Sequence, residues 1–217
     1  MKDIVIIGAG GFGREVKSII DRINLIKPTY RLLGFYDDNQ TLNENINGIP
    51  YLGDLNSLIN NTNNIDVALG IGDPTVKEKI ISRLLVNDTL NFPNIVDPNA
   101  IIGNDDITLG IGNIICAGVI ITCNIKLKDF ITLNLSCTVG HDTIIESFSS
   151  FMPSVNISGE VVINKKVYVG TGAKIINLLE IGENTIVGAG AVVAKSLPSN
   201  CTAVGIPAKP IKFHNEA

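Results

Sequence analysis

The sequence contains no run of basic residues. Its 17 lysine and arginine residues and its 21 acidic residues are spread along 217 positions, which gives a net charge of −4. The pI is about 5.2. Proteins that bind nucleic acids or anionic membranes usually present clustered basic side chains. The sequence therefore argues against both as the main partner and favours small-molecule ligands.

Long hydrophobic runs are absent as well. The apolar run before the first glycine spans residues 4–7 only, which is too short for a signal peptide or a membrane span. We therefore expect a cytoplasmic protein without membrane insertion. Because 45% of the residues are hydrophobic and the mean hydropathy is +0.32, the chain can fill one large core or two modest ones.

Cysteine and histidine are scarce. The cysteines have neither CxxC spacing nor the density of a disulfide framework, so we expect buried small residues. They are Cys116, Cys123, Cys137 and Cys201. One of the two histidines lies in the stretch VGHDTIIESF, and the other is His214, which we expect to be a solvated tail residue. Scattered carboxylates and one histidine form no recognisable ligand set, so no metal is predicted.

A glycine-rich turn stands near the start of the chain. An apolar strand over residues 4–7 runs into GAGGFG at 8–13, and a helical pattern follows. Such a GxGxxG turn favours phosphate binding, because glycine lets a ligand approach the backbone and the helix N-terminus offers free N–H groups. An alternative is that these glycines only pack helix against sheet.

The α/β pattern is short. A second strand, RLLGFYDD, ends in two acidic residues about where a ribose or base would be contacted, and DVALGIGD leads into the helix TVKEKIISRLL. A full dinucleotide fold uses two such halves. We therefore predict a Rossmann-like half-domain over residues 1–92 that suits a mononucleotide, with a nicotinamide site as an alternative.

From residue 109 onward, every sixth residue is apolar. The set is Leu109, Ile115, Ile121, Leu127, Leu133, Val139, Ile145, Phe151, Ile157, Ile163, Val169, Ile175, Ile181, Val187 and Val193. Smaller or β-branched residues stand two positions before most of them. A six-residue period fits one side of a triangular coil with about 18 residues per turn.

This repeat resembles that of the hexapeptide-repeat acyltransferases over about residues 95–210. The ending LPSNCTAVGIPAKPIKF is similar to the closing segment of that family. The resemblance implies an all-β left-handed parallel β-helix, which we assign to residues 93–217 with the closing segment at its C-terminus. A structural β-solenoid without activity is the alternative.

His141 argues for activity. Residues 18 apart lie one above the other, so His141, Gly159 and Asn177 should share one edge and point away from the core. An imidazole can take the proton from an attacking amine or hydroxyl. The N–H of Gly159 can stabilise the oxyanion formed at a thioester carbonyl, because glycine leaves room for the acyl group.

The whole chain resembles one branch of these enzymes, the bacterial sugar acyltransferases that acetylate UDP-4-amino sugars or sialic acid. The motifs that carry this resemblance are GAGGFGREV, GFYDD, FPNIVDPNA, NLSCTVGHD and SGEVVINKKVYVGTGAKI. The resemblance implies that His141 is the general base, that Asp142 orients its ring and that Asn134 is an active-site polar group. It also implies that Gly159 meets the acetyl carbonyl, and that acetyl-CoA lies along the later coils near Asn177, between subunits of a homotrimer.

For the first domain, the resemblance implies binding of the UDP end of a sugar nucleotide. Gly8, Gly10 and Gly11 would lie near the phosphates, and Asp37 and Asp38 near the uridine. We therefore predict acetyl-CoA-dependent N-acetylation of a UDP-4-amino sugar for polysaccharide synthesis. Alternatives are O-acetylation of sialic acid, a non-catalytic scaffold that binds sugar nucleotides, and an NAD-linked enzyme.

Two further features bear on the acceptor and on assembly. Many N-acetyltransferases of this branch carry a second histidine nine residues after the base, where this chain has Ser150, so the choice between amine and hydroxyl stays open. Apolar residues also precede several core positions and are expected to face outward at a subunit interface. They are Ile114, Ile120, Ile144, Val162, Ile186 and Val192.

Overall fold

The computed structural model describes residues 1–39 and 41–214. It divides into two compact units, Met1–Pro98 and Asn99–Ala217. This division lies a few residues after the predicted boundary at 92 and 93. No helix in the described part of the chain is long and apolar enough to cross a bilayer.

The first unit is an α/β sheet with flanking helices. Its described elements are β1 (Lys2–Ile7), α1 (Gly11–Ile26), β2 (Tyr30–Tyr36), β3 (Asn45–Ile46), β4 (Ile49–Gly53), α2 (Leu55–Ile59), β5 (Ile65–Leu69), α3 (Pro74–Leu84), β6 (Leu90–Asn91) and β7 (Ile95–Val96). Strands β3-β4-β2-β1-β5-β6 form one sheet in that order. All neighbours are parallel except β3 and β4, which form an antiparallel pair.

The predicted strands β1, β2 and β5 and the predicted helices α1 and α3 are present. Ile4, Val5 and Ile6 of β1 are fully buried because neighbouring strands and helices enclose this central strand. The sequence did not reveal β3, β4 and α2. Alternate residues of β4 are exposed or only half-buried, so this edge of the sheet lacks a continuous apolar run.

Polar side chains begin two of the three helices, whereas a glycine begins the first. The Asp73 side chain accepts a hydrogen bond from the N–H of Val76 at the start of α3, with Pro74 in the first helical position. Gly10 precedes α1 and offers no side-chain cap. The first-turn N–H groups of α1 are therefore not occupied by a capping side chain.

The glycines of the first turn fall into two groups. A Cβ at Gly13 would lie 1.7 Å from the carbonyl oxygen of Gly8, so helix and turn approach too closely for any side chain. Gly8 itself has a φ of +93°. In contrast, a Cβ at Gly10 or Gly11 would have nothing within 4 Å. Packing explains Gly8 and Gly13 but not Gly10 and Gly11.

The second unit is a parallel β-helix of short strands. Its strands are β8 (Ile101–Ile102), β9 (Ile107–Leu109), β10 (Ile114–Ile115), β11 (Ile120–Ile121), β12 (Ile125–Leu127), β13 (Thr132–Leu133), β14 (Thr138–Val139), β15 (Ile144–Ile145), β16 (Ser150–Phe151), β17 (Asn156–Ile157), β18 (Val162–Ile163), β19 (Tyr168–Val169), β20 (Lys174–Ile175), β21 (Glu180–Ile181), β22 (Ile186–Val187), β23 (Val192–Val193), β24 (Cys201–Gly205) and β25 (Ala208–Phe213).

These strands form three faces. Face 1 contains β10, β13, β16, β19, β22 and β24 as parallel neighbours, with β25 antiparallel to β24. Face 2 is β8-β11-β14-β17-β20-β23, and face 3 is β9-β12-β15-β18-β21. Most strands pair with a register of 18 residues, as in Val139 with Ile157 and Ile157 with Ile175, whereas β8 pairs with β11 at 19 residues and β22 with β24 at 16. The predicted left-handed parallel β-helix after an α/β region is confirmed.

The six-residue set forms the core of the coils. From Ile115 to Val193 its members are at most 3% exposed, and only Leu109 is half-buried. Polar members of the smaller set are also buried, because they bond to the backbone at the corners. The hydroxyl of Thr185 donates to Pro198 O at 2.7 Å, and that of Ser149 donates to Asn164 O at 3.0 Å.

Each corner between β8 and β23 contains one residue in the left-handed region. At the corner between faces 2 and 3 these residues are Asp106, Asn124, Asp142, Glu160 and Leu178, with φ between 46° and 62°. The N–H of Asp142 donates to Cys123 O at 3.2 Å, and that of Glu160 donates to His141 O at 2.7 Å. These bonds tie each corner to the preceding coil.

Two expectations about exposure were wrong. Ile114 is only 1% exposed, and Thr132 and Ser150, its neighbours on face 1, are equally buried, so the outer side of this face is covered there. Ile120 and Ile186 do face outward. His214 is not a free tail residue, because its Nε2 lies 2.8 Å from Thr202 Oγ1 and its N–H donates to Asn200 O.

Substitution of Gly13 should damage the first unit. In Gly13→Ala the new methyl group would overlap Gly8 O, so we expect the free energy of unfolding to fall by about 3 kcal/mol. Gly11→Ala is the matched control, since its methyl group meets no atom and alanine favours the helix. Urea denaturation followed by circular dichroism would measure both, and equal losses would contradict the packing argument.

Candidate active site

His141 and Asp142 lie in the corner that follows β14. Their side chains are 56% and 49% exposed, so both are accessible to a ligand. The corner is fixed by its backbone, because His141 O accepts from the following coil and Asp142 N–H donates to the preceding one. The hydrogen bonds of the coil repeat therefore fix the backbone positions of His141 and Asp142.

The Asp142 carboxylate distinguishes the two ring nitrogens of His141. Oδ2 of Asp142 lies 2.8 Å from Nδ1 of His141. Because an ionised carboxylate only accepts hydrogen bonds, Nδ1 must carry the proton and donate. Nε2 then has a free lone pair, and no described residue bonds to it. A neutral ring in this tautomer can accept a proton at Nε2.

Two donors keep Asp142 ionised. The hydrogen bond from His141 lowers the pKa of Asp142, and a bond from Asn124 lowers it further. Asn124 Nδ2 donates to Oδ1 of Asp142 at 2.9 Å from the preceding coil. Sequence reasoning missed Asn124, although its position 18 residues before Asp142 was a signal that could have revealed it.

Gly159 lies against the ring of His141 one coil later. A Cβ at Gly159 would be 2.5 Å from both Cε1 and Nε2 of His141. The ring therefore covers the space that a side chain would need, with its Nε2 edge beside the glycine. The predicted stacking of His141 and Gly159 on one edge is present.

Gly159 is buried beneath the His141 ring, and its N–H has no acceptor in the described part of the chain. Its carbonyl accepts from Leu178 N–H. An unbonded Nε2 on an exposed ring and an unbonded amide N–H on the buried glycine beneath it thus lie close together among the described residues. Such a pair can remove one proton and stabilise one developing negative charge.

The other predicted residues of the coils are less close to His141. Asn177 is exposed at the same corner, one coil after Gly159. Asn134 is nearly buried at the corner before β14, where its Oδ1 accepts from Leu135 N–H at 2.7 Å. Within one chain, β14 separates Asn134 from His141, so the role of Asn134 stays a prediction. Ser150 is buried, and its hydroxyl has no partner in the described part of the chain.

The predicted nucleotide residues lie at one end of the sheet in the first unit. A cavity of about 300 Å³ is lined there by Gly8, Asp37 and Asp38, together with apolar residues and with Lys79 and Arg83 of α3. Sequence reasoning missed the two cations, because helical spacing alone does not show which neighbours α3 has. Their charges suit the phosphates of a nucleotide.

The two aspartates already have protein partners. Asp37 accepts from the N–H groups of Ala9 and Asn39 at 2.8 and 2.9 Å, which fixes the glycine turn against the end of β2. Asp38 accepts from Leu55 N–H at 3.0 Å, and its other oxygen lies 3.7 Å from Arg83. Gly10 and Gly11 are open, as described above. Contact of these five residues with a nucleotide stays a prediction.

Comparison with known proteins gives consistent matches over the whole chain. The profile of the PglD N-terminal domain matches residues 3–84. WeeI from Acinetobacter baumannii AYE is 32% identical with a TM-score of 0.86, over 97% of this chain and 100% of that chain. A histidine-to-asparagine mutant of perosamine N-acetyltransferase from Caulobacter crescentus, solved with CoA and GDP-perosamine, is 26% identical with a TM-score of 0.87, over 98% of both chains.

Curated sequences match over a shorter stretch. Serine acetyltransferase from Buchnera aphidicola is 40% identical over 83 residues, which are 34% of this chain and 32% of that protein. The chain therefore spans about a third of the length of the curated serine acetyltransferases that it matches.

The acidity of Asp142 tests the hydrogen bonds at this corner. The pKa of Asp142 is lowered in the folded state from its ordinary value of 3.8. Its ionised form therefore stabilises the fold at pH values above 3.8, and this stabilisation is lost as the pH falls through the lowered pKa. We expect carbon-13 NMR to give a titration midpoint for Asp142 below 3.8. His141→Phe should raise that midpoint, because it removes the larger cause. His214→Phe is the control, and an equal rise there would contradict the assignment.

Proposed function

The chain belongs to the hexapeptide-repeat sugar acetyltransferase family, and on that premise we propose that it transfers an acetyl group from acetyl-CoA to an amine of a nucleotide-linked sugar. One observation carries the proposal: the unbonded Nε2 of His141 lies beside Gly159, whose amide N–H also has no partner among the described residues. Acyl transfer is catalysed by a base that removes the proton of the nucleophile and by a donor that stabilises the oxyanion.

In the proposed reaction, the amine attacks the thioester carbonyl directly. A C–N bond forms as the carbonyl oxygen gains negative charge, and the Gly159 N–H donates to that oxygen. His141 Nε2 takes the proton from the nitrogen while Asp142 holds the Nδ1–H and offsets the charge of the imidazolium. The tetrahedral intermediate then expels CoA thiolate, which receives the proton from His141. No acyl-enzyme is needed.

Acetyl-CoA is proposed to lie along the later coils, near Asn177. The structure of perosamine N-acetyltransferase with CoA supports a CoA ligand for this fold. We also propose a homotrimer with the cofactor between subunits. The outward-facing apolar side chains of Ile120 and Ile186 support a subunit interface on the β-helix.

The sugar nucleotide is proposed to bind in the first unit, as a UDP-4-amino sugar. Open glycines at the uncapped start of α1 and the cations Lys79 and Arg83 beside the cavity support phosphate binding there. The related perosamine enzyme was solved with a guanosine nucleotide, so the base is a specific point to test. We further propose a cytoplasmic location and a role in polysaccharide synthesis.

Acceptors with a hydroxyl group form the second candidate. The sequence match to serine acetyltransferases and the presence of Ser150 in place of a second histidine favour an oxygen nucleophile. A first unit with a cavity of nucleotide size favours the sugar nucleotide instead. The two candidates need the same base and the same amide, so only the acceptor distinguishes them.

A thiol-release assay tests the proposed function. Purified protein would be incubated with acetyl-CoA and, in separate reactions, with a UDP-4-amino sugar, GDP-perosamine, sialic acid or L-serine. We expect free CoA with the UDP-4-amino sugar and loss of its free amine. Release of CoA with sialic acid or serine alone would show that the acceptor group is a hydroxyl and not an amine. Nucleotide binding without any CoA release would favour the scaffold.

Two substitutions test the proposed groups. We expect His141→Ala to lower kcat by about 10²- to 10⁴-fold, since a general base is lost. Gly159→Ala should lower kcat by about 10²-fold or more, because its methyl group would displace the His141 ring and block the amide. Only an exposed side chain has to move, so thermal stability should change little in both variants. Unchanged turnover in His141→Ala would remove the imidazole from the mechanism.

Lys79 tests the nucleotide cavity. We expect Lys79→Ala to raise the KM for the sugar nucleotide about tenfold, because one charge-assisted hydrogen bond to the phosphate is lost. The kcat at saturation should stay the same. Lys27→Ala is the control, since Lys27 is an exposed lysine at the end of α1 that does not line the cavity. If both variants have the KM of the wild type, Lys79 does not bind phosphate.

A further inference from the structure

We propose that Asn124 is a positioning residue that fixes the tautomer of His141 through the carboxylate of Asp142. This inference rests on the proposed function, in which Nε2 of His141 accepts the proton. It identifies a residue of the preceding coil that keeps the lone pair of His141 on Nε2.

The Asp142 carboxylate is held at both of its oxygens. Asn124 Nδ2 donates to Oδ1 at 2.9 Å, and Nδ1 of His141 is 2.8 Å from Oδ2. One bond would leave the carboxylate free to rotate about its terminal torsion, which has a broad energy profile. Two bonds to different oxygens define its plane. The plane of the carboxylate in turn sets the direction from which Nδ1–H is accepted.

The bond from Asn124 is needed because the Asp142 carboxylate is exposed to water. Asp142 is about half exposed, so water competes for both of its oxygens, and a single exposed contact of this kind contributes little. Asn124 is held in register because its N–H donates to Asp105 O at 2.9 Å, just as Asp142 N–H donates to Cys123 O. The donor and the carboxylate therefore keep their spacing through backbone bonds that do not depend on the side chains.

The residue type at position 124 matches this task. The left-handed positions at this corner also include Asp106, Glu160 and Leu178, and in the described coils only Asn124 has an amide donor there. Asparagine is among the residues that enter the left-handed region at low cost. Its side chain can therefore reach the next coil without strain in the backbone.

The tautomer determines whether His141 can act. A neutral imidazole carries its proton on either nitrogen. Only the Nδ1–H form has a lone pair at Nε2, beside Gly159. If the carboxylate turns away, the other form becomes populated and that fraction of molecules cannot take a proton at Nε2.

The variant Asn124→Gly removes the amide without straining the backbone. Glycine already occupies equivalent left-handed positions at Gly112, Gly118, Gly172 and Gly190, with φ between 66° and 72°. The chain also offers a matched control. Asn184 has a φ of 56° and donates from Nδ2 to Asn200 Oδ1 at 2.9 Å, so Asn184→Gly removes the same kind of bond elsewhere.

Nitrogen-15 NMR of the imidazole rings gives a readout independent of activity. The chain has only two histidines, so His214→Phe leaves the signal of His141 alone. Spectra would be recorded above the pH range in which the His141 signals themselves titrate, so that the ring is neutral. We expect the Nδ1–H form to dominate in the wild type and in Asn184→Gly, and Asn124→Gly to shift the signals toward the Nε2–H form.

Steady-state kinetics with acetyl-CoA and the active acceptor supplies the second readout. We expect Asn124→Gly to lower kcat about tenfold, within the range typical of orienting partners, with little change in either KM. Asn184→Gly should keep the kcat of the wild type. If Asn124→Gly does not fold, Asn124→Asp keeps the shape and replaces the donor by a second carboxylate, with the same expected shifts.

The two readouts separate the two proposals. An unchanged tautomer, or an unchanged kcat despite a shifted tautomer, in a folded Asn124 variant would overturn the role of Asn124. If the wild type releases no CoA with any acceptor while the tautomer still shifts, the proposed function is wrong, whereas the effect of Asn124 on the His141 ring stands.

Discussion

The hydrogen bonds between successive coils are the constraint on which the rest of the second unit depends. From β9 to β23, parallel strands pair with a register of 18 residues, and the left-handed residue of most corners donates its N–H to the coil before it. This register decides which side chains become neighbours. Asn124 contacts Asp142, and His141 covers Gly159, only because each pair is about one turn apart. A shift by one residue would separate both pairs.

The negative charge at this corner is that of one carboxylate, Asp142. An exposed carboxylate normally prefers water, yet two donors reach Asp142 from its own corner and from the coil before it. They lower its pKa and keep it an acceptor. That single charge makes the two nitrogens of His141 unequal. The chemical asymmetry of the ring thus follows from backbone geometry, because the backbone brings the donors to the carboxylate.

Much of this arrangement follows from sequence periodicity, and the remainder depends on contacts that periodicity does not encode. The six-residue apolar set predicts the coils, and the 18-residue turn predicts that His141 lies over Gly159. The same arithmetic would have identified Asn124, had it been applied to Asp142. In contrast, Lys79 and Arg83 could not be found, since their place beside the cavity depends on how α3 packs in the first unit. The burial of Ile114 likewise depends on what covers face 1, which a repeat pattern cannot show.

Glycine illustrates how fold and site can be told apart. At Gly140, a Cβ would lie 2.6 Å from the backbone nitrogen of Gly159, so the coil itself forbids a side chain. At Gly159, the nearest atoms to a Cβ all belong to the His141 ring, which is an exposed side chain that can move. The fold therefore requires Gly140, whereas the closest contacts at position 159 come from the histidine. Gly10 and Gly11, where a Cβ would meet nothing, are also free of any packing requirement. A glycine that neither packing nor a positive φ requires leaves its backbone open to approach, and at position 159 we propose that the acetyl carbonyl approaches it.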